Sequence, residues 1–133
     1  MSAKLTAAVP ILPVADMAAT IDFYTNKLGF QLAFQWGESG DGKSGDTVYA
    51  GIVRDGIRVH LNRFGDPALA RKVASQTMVR FDVSDVRTYY DECRVHEGVI
   101  HPNGKLDEKP WGTIEFGVLD PSGVCITFQQ AEE

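Results

Sequence analysis

"VADMAATIDFYTNKLGF" fills residues 14–30 and "VSDVRTYYDECRVHEGV" fills residues 83–99. Set one above the other, Val14 meets Val83, Asp16 meets Asp85, Asp22 meets Asp91 and Gly29 meets Gly98. Apolar positions coincide as well: Met17 with Val86, Ile21 with Tyr90, Phe30 with Val99. Each segment reads as a strand end, an Asp that caps a helix N-terminus, a helix, and a Gly that stops it. Met17, Ile21, Tyr24 and Leu28 recur at helical spacing in the first segment. Val86, Tyr90 and Cys93 do so in the second, with Tyr89 alongside.

The similarity extends outward. "YAGIVRDGIRVHLN" (49–62) lies over "EFGVLDPSGVCITFQ" (115–129), pairing Gly51 with Gly117. After one extra turn residue Gly56 pairs with Gly123 and His60 with Thr127. Both read as hairpins with a polar Gly-containing turn. "FQLAFQW" (30–36) supplies a further strand in the first half, whose counterpart in the second is not evident from pattern. The expected fold is α+β: two tandem βαβββ modules whose curled mixed sheets surround a cleft. The single domain spans residues 1–133, with module one at about 7–64, a linker at about 65–76 and module two at about 77–131. Asp66-Pro67 marks a helix start inside the linker. "HPNGKLDEKPWG" (101–112) reads as a turn-rich loop and "GESGDGKSGD" (37–46) as a flexible one.

Composition narrows the function. The chain carries 13 Lys and Arg against 18 Asp and Glu, a net charge of −5. That argues against nucleic acid, whose binders need a basic patch, and leaves room for a cationic partner. No apolar run approaches the roughly 18 residues of a membrane span. The N-terminus makes a poor signal peptide, so the expected location is the cytoplasm. Cys93 and Cys125 fit no metal or redox spacing and read as free buried thiols.

Strand alternation sorts the side chains into two faces. Val59, Leu61, Val79, Phe81, Val83, Ile114, Phe116, Val118, Ile126 and Phe128 form a uniformly apolar, helix-packed face. Arg58, His60, Asn62, Met78, Arg80, Asp82, Thr113, Glu115, Cys125, Thr127 and Gln129 form the other. That second face is either solvated or the wall of a cleft. Phe34, Trp36, Tyr49 and Trp111 are candidate rim aromatics. His60 is open to three readings: metal ligand, general base oriented by Glu115 or Asp82, or polar cleft wall.

The sequence resembles the vicinal-oxygen-chelate superfamily of glyoxalase I, extradiol dioxygenases and fosfomycin-resistance proteins. Within it the chain looks most like the bleomycin-resistance proteins. The residues that carry the resemblance are "AKLTAAVPILPVADMAATIDFYTNKLGF", "YAGIVRDGIRVHL" and "EKPWGTIEFGVLDPSGVCITF". The resemblance implies a homodimer with exchanged N-terminal strands and two clefts, each formed by halves of both subunits. It implies sequestration of a cationic glycopeptide antibiotic with flat bithiazole rings, without degradation. Phe34 and Trp111 fall on family positions that line the cleft, and Tyr49 falls where the family has an aromatic. Trp36, His60, Asn62, Arg80, Gly112 and Glu115 complete the candidate ligand set. Arg80 departs from the pattern, standing where relatives carry an aromatic.

Metal-dependent members take ligands from four equivalent strand positions, here Val9, His60, Met78 and Thr127. His60 is the one competent donor for the divalent ions those enzymes use. The expectation is therefore a binding protein with no cofactor and no catalytic residue. The alternatives are a metal-dependent lyase or isomerase of the superfamily, and a binder of an anionic metabolite anchored by Arg58, Arg80 and His60.

Overall fold

The computed structural model describes residues 2–37 and 46–132. Module one runs β1 (Ile11–Val14), α1 (Met17–Asp22), β2 (Gln31–Gly37), β3 (Thr47–Arg54) and β4 (Ile57–Arg63). After α2 (Pro67–Ala74), module two runs β5 (Met78–Asp82), α3 (Val86–Arg94), β6 (Asp107–Glu108), β7 (Thr113–Leu119) and β8 (Cys125–Ala131). The strands form two four-stranded sheets, ordered β1-β4-β3-β2 and β5-β8-β7-β6. In each, the first strand of the module runs parallel to its last, and the other pairings are antiparallel. The α+β reading and the twofold βαβββ order are thus present. The missing counterpart of β2 is β6, two residues long, inside the segment read as a loop.

The caps act as the repeat predicts. The Asp16 carboxylate accepts the Ala19 N–H at 3.1 Å, and Asp85 accepts the Thr88 N–H at 3.1 Å. Gly29 and Gly98 end the helical segments at φ +79° and +78°, a conformation that costs residues with a Cβ more. Asp66 caps α2 by accepting the Ala68 and Leu69 N–H groups ahead of Pro67. Two local details differ from expectation. The first helix widens into a π-helical turn over Phe23–Lys27. Its counterpart α3 ends at Arg94, short of the expected stop at Gly98, and the His96 N–H in the following turn bonds the Cys93 carbonyl.

One buried cluster runs through both modules, with Leu12, Tyr24, Leu28, Ile52 and Leu61 from the first and Phe116, Val118, Ile126 and Phe128 from the second. Ring contacts cross the seam from Tyr24 to Phe30, Phe30 to Phe81, and Phe81 to Phe128, at 5.8, 6.3 and 5.5 Å between centroids. Polar clamps hold the seam as well. Tyr24 donates its hydroxyl to Asp120 Oδ2 at 2.8 Å. Asp120 Oδ1 accepts the N–H groups of Ser122, Gly123 and Val124, which folds the "DPSG" turn. Burial pushes the Asp120 carboxyl up despite these bonds. Arg54, the last residue of β3, reaches Glu92 of α3 at 2.6 Å and the Leu28 carbonyl at 2.8 Å. No helix among the described residues is long and apolar enough to cross a membrane.

Candidate functional site

Pairing register places the side chains of the first sheet in rows. Ile11, His60, Gly51 and Phe34 stand side by side across all four strands. Pro13, Asn62, Tyr49 and Trp36 form the next row. Residues directly opposite share a face, so five candidate residues (Phe34, Trp36, Tyr49, His60 and Asn62) lie together. Plain alternation would not have done this. Leu32 pairs with Ile52 and Phe34 with Gly51, which leaves Ala33 as an extra residue in β2. Such a bulge reverses the facing of everything after it. Phe34 and Trp36 are thereby turned to the open face, where they are 43% and 53% exposed.

Gly51 completes the arrangement. A Cβ there would meet Phe34 Cδ1 at 2.7 Å and Cζ at 2.8 Å, so the ring lies where a side chain would otherwise stand. From that position it stacks on Tyr49 at 6.2 Å and meets the His60 ring edge-on at 5.3 Å. Tyr49 also contacts His60 edge-on at 5.3 Å, and its hydroxyl lies 2.8 Å from Nδ1. With the imidazole neutral and its proton on Nε2, the phenol donates. The result is an open platform of three rings, braced from below by the sheet.

The second sheet presents a polar wall. Arg80, Thr127 and Gly117 form one row, and Asp82, Gln129, Glu115 and Asp107 the next. The Glu115 side chain is only 8% exposed. Glu115 accepts the Thr113 hydroxyl at 2.8 Å and Arg80 Nη1 at 3.1 Å. Arg80 also donates to Gln129 Oε1 at 2.7 Å, and Gln129 Nε2 donates to Asp82 at 3.0 Å. Burial alone would raise the Glu115 carboxyl; bonds from Thr113, Arg80 and Trp111 outweigh it and hold the group below its ordinary value. Trp111 is 64% exposed, and Gly112 takes φ +94° just ahead of β7.

The candidates therefore fall into two groups, one per sheet. Phe34, Trp36, Tyr49, His60 and Asn62 make the first; Arg80, Trp111, Gly112 and Glu115 make the second. No cavity described within the single chain is lined by both. The partner of His60 is Tyr49, on its own sheet, in place of the expected Glu115 or Asp82. Glu115 is committed to Arg80 and Thr113. Of the four metal-ligand positions, Val9 lies ahead of β1, and Ile11 stands in register with His60. Met78 lies beside Cys125, and Thr127 beside Arg80. Among the described residues no three His, Cys, Asp or Glu side chains are placed to hold a metal ion. Cys93 is buried and free as read, whereas Cys125 is free but only half-buried. The stretch 38–45 of the Gly/Ser/Asp-rich loop lies outside the described residues. Sequence reading missed Gly51 and Ile11 as site residues; the match of Gly51 to Gly117 was the available signal for the first.

Fold and site together define a paired-βαβββ protein with one aromatic and one polar open wall. The model of the Glyoxalase/Bleomycin resistance protein/Dioxygenase superfamily matches residues 5–128, and the chain belongs to that superfamily. A bleomycin resistance protein of Geobacillus stearothermophilus is 27% identical over 135 residues, covering 92% of this chain and 94% of the relative. A bleomycin resistance protein of Staphylococcus aureus matches to the same extent. The crystal structure of the bleomycin-binding protein from bleomycin-producing Streptomyces verticillus, complexed with copper(II)-bleomycin, superposes with a TM-score of 0.73. It is 29% identical and covers 99% of this chain and 100% of its own. TioX from Micromonospora sp. ML1 shares the fold, with a TM-score of 0.69 at 22% identity, covering 96% of this chain and 98% of its own.

Proposed function

We propose that this chain is a dimeric, metal-independent binding protein that sequesters a bleomycin-type ligand in the cytoplasm. Each cleft is built from the aromatic wall of one copy and the polar wall of the other. The observation that carries the reading is the Phe34–Tyr49–His60 platform, which a bulge and a glycine turn outward, with no further ring stacked on it among the described residues. Flat heteroaromatic rings fit such a surface, with Trp36 and Trp111 as flanking faces. Supporting the dimer, Ile11, Met78 and Trp111 are 57%, 79% and 64% exposed, and Leu5 stands fully exposed in an N-terminal arm. Pro10 ends that arm, where a residue unable to donate a ladder bond is tolerated.

Arg80 fits this reading better than its charge first suggests. Its guanidinium is committed to Glu115 and Gln129, so its repulsion of a cation is offset by a neighbouring carboxylate. The same pairing weakens the case for an anionic ligand. Asp82 adds negative charge to the row of Glu115, while Asp107 in that row is paired with Lys109 at 3.3 Å. Supporting metal independence, the register neighbours of His60, Ile11 and Gly51, offer no ligand atom.

The test is a fluorescence titration with bleomycin, metal-free and copper(II)-loaded. Quenching of Trp36 and Trp111 that saturates at two ligands per dimer is the expected result. Unchanged emission at micromolar drug would sink this ligand assignment.

A further inference from the structure

A cavity of about 470 Å³ opens at the seam between the modules, and apart from Asp82 on its rim it shares no residue with the two walls above. Its volume falls within the range of small-molecule sites. The floor is aromatic: Phe30, Phe81, Tyr89 and Phe128 all line it. Their rings brace one another, Phe81 stacking on Phe128 at 5.5 Å and Tyr89 meeting Phe128 edge-on at 4.8 Å. The rim is acidic: Asp55, Asp82, Asp85 and Glu92 face one cation, Arg54. That arginine is already spent. It pairs with Glu92 and Asp55, and its guanidinium lies 4.7 Å over the Tyr89 ring. Asp82 accepts an amide from Gln129, and Asp85 accepts the Thr88 backbone and hydroxyl; neither forms a close ion pair among the described residues, although the Arg87 charge acts on Asp85.

We infer that this cavity is a second binding site, for a small organic ammonium that carries an apolar group. The chemistry is complementary on two counts. The aromatic floor covers the apolar body of such a ligand and offers a cation the ring surface that Arg54 and the Phe81–Phe128 stack leave open. Four carboxylates against one arginine at the mouth leave it net negative, which draws the same cation and disfavours an anion. Arg54 over Tyr89 already shows a cation held against one ring of this floor, with carboxylates beside it.

The experiment is a titration of the full-length protein with phenethylammonium, followed by backbone amide NMR. Saturable shifts at Ser84 and Thr88 are expected. Phenethyl alcohol, the neutral isostere, should bind roughly tenfold more weakly, the scale of one partly desolvated cation–aromatic contact. Hydrocinnamate should not bind. Asp82→Asn keeps the acceptor for Gln129 while removing the charge. It should weaken the ammonium about two- to fivefold, a scale set by one exposed charge pair, with an unchanged melting temperature. Equal affinity for the ammonium and the alcohol would overturn the proposal. So would shifts confined to Tyr49 and His60, or full affinity in Asp82→Asn.

Discussion

Replacing Gly51 with alanine adds one methyl group to an open strand face, and the structure says where it goes. The new Cβ would sit 2.7–2.8 Å from Phe34 Cδ1 and Cζ, well inside contact distance. Backbone is not in the way, so the ring swings off and the fold survives. Phe34 then loses its contacts with Tyr49 and His60, each worth about 0.5–1.5 kcal/mol for an aromatic pair. Alanine in a strand recovers about 0.5–1 kcal/mol of chain entropy relative to glycine. Net stability should therefore fall by about 0–2.5 kcal/mol. Binding should suffer as well, because the platform itself is dismantled. A loss of about 1.5–3 kcal/mol of stacking raises Kd about ten- to a hundredfold.

The assay pairs the bleomycin titration with the ring-proton shifts of His60, which feel the Phe34 ring with no ligand present. Gly51→Ala should move those shifts and match Phe34→Ala in Kd, and the double variant should add little, as expected for residues acting through one contact. Gly117→Ala is the control. It is the matching glycine of the other module, and its added Cβ meets nothing nearer than 3.7 Å. Unmoved His60 shifts in Gly51→Ala would refute the reasoning. Equal effects of the Gly51 and Gly117 variants would refute it too.

Further expectations concern charge, assembly and thiols. The folded Glu115 carboxyl lies below its ordinary value of 4.5, so its ionised form stabilises the fold; that contribution is complete above 4.5 and is lost as pH falls through the lower folded value. Wild type should therefore exceed Glu115→Gln by about 0.5–1 kcal/mol at neutral pH, Arg80 being half exposed, and urea titrations should show the gap closing in acid. A gap unchanged at low pH would exclude this role. Sedimentation should give twice the 14.6 kDa chain mass. Deleting residues 2–8 should shift the population toward monomer; a full-length chain that sediments as a monomer would defeat the shared cleft. Burial pushes the Cys93 thiol up to about 11, while Cys125 is half-buried on the open face. A chromogenic aryl disulfide should therefore modify one thiol per native chain, and Cys125→Ser should abolish that fast reaction.

Much of the fold was legible because its signals are local. Asp16, Asp66 and Asp85 cap helices through atoms three residues away or fewer. Gly29 and Gly98 stop them through their own backbone angle. The repeat multiplied these signals, since two weak copies at a fixed spacing constrain each other. Strand alternation, a property of single residues, separated Val59 and Leu61 from His60 and Asn62. It also placed Arg80, Glu115 and Gln129 on one face, as the ladder register bears out.

The rest depends on which strands meet and in what register. β6 is two residues of a polar loop, and only the neighbouring β7 makes it a strand. "FQLAFQW" alternates without a break, so pattern alone would keep Phe34 and Trp36 on the face of Leu32. The bulge at Ala33 exists only in the pairing with β3, and it turns both rings outward. His60 gained Tyr49 as a partner from a strand eleven residues back, and Glu115 gained Arg80 from thirty-five residues away. The sequence by itself thus determined the two modules, their caps and the polarity of each face, because backbone geometry and side-chain period act over a few residues. The tertiary structure alone decided what those faces hold, because a hydrogen bond or a ring contact needs two atoms brought together by the whole fold.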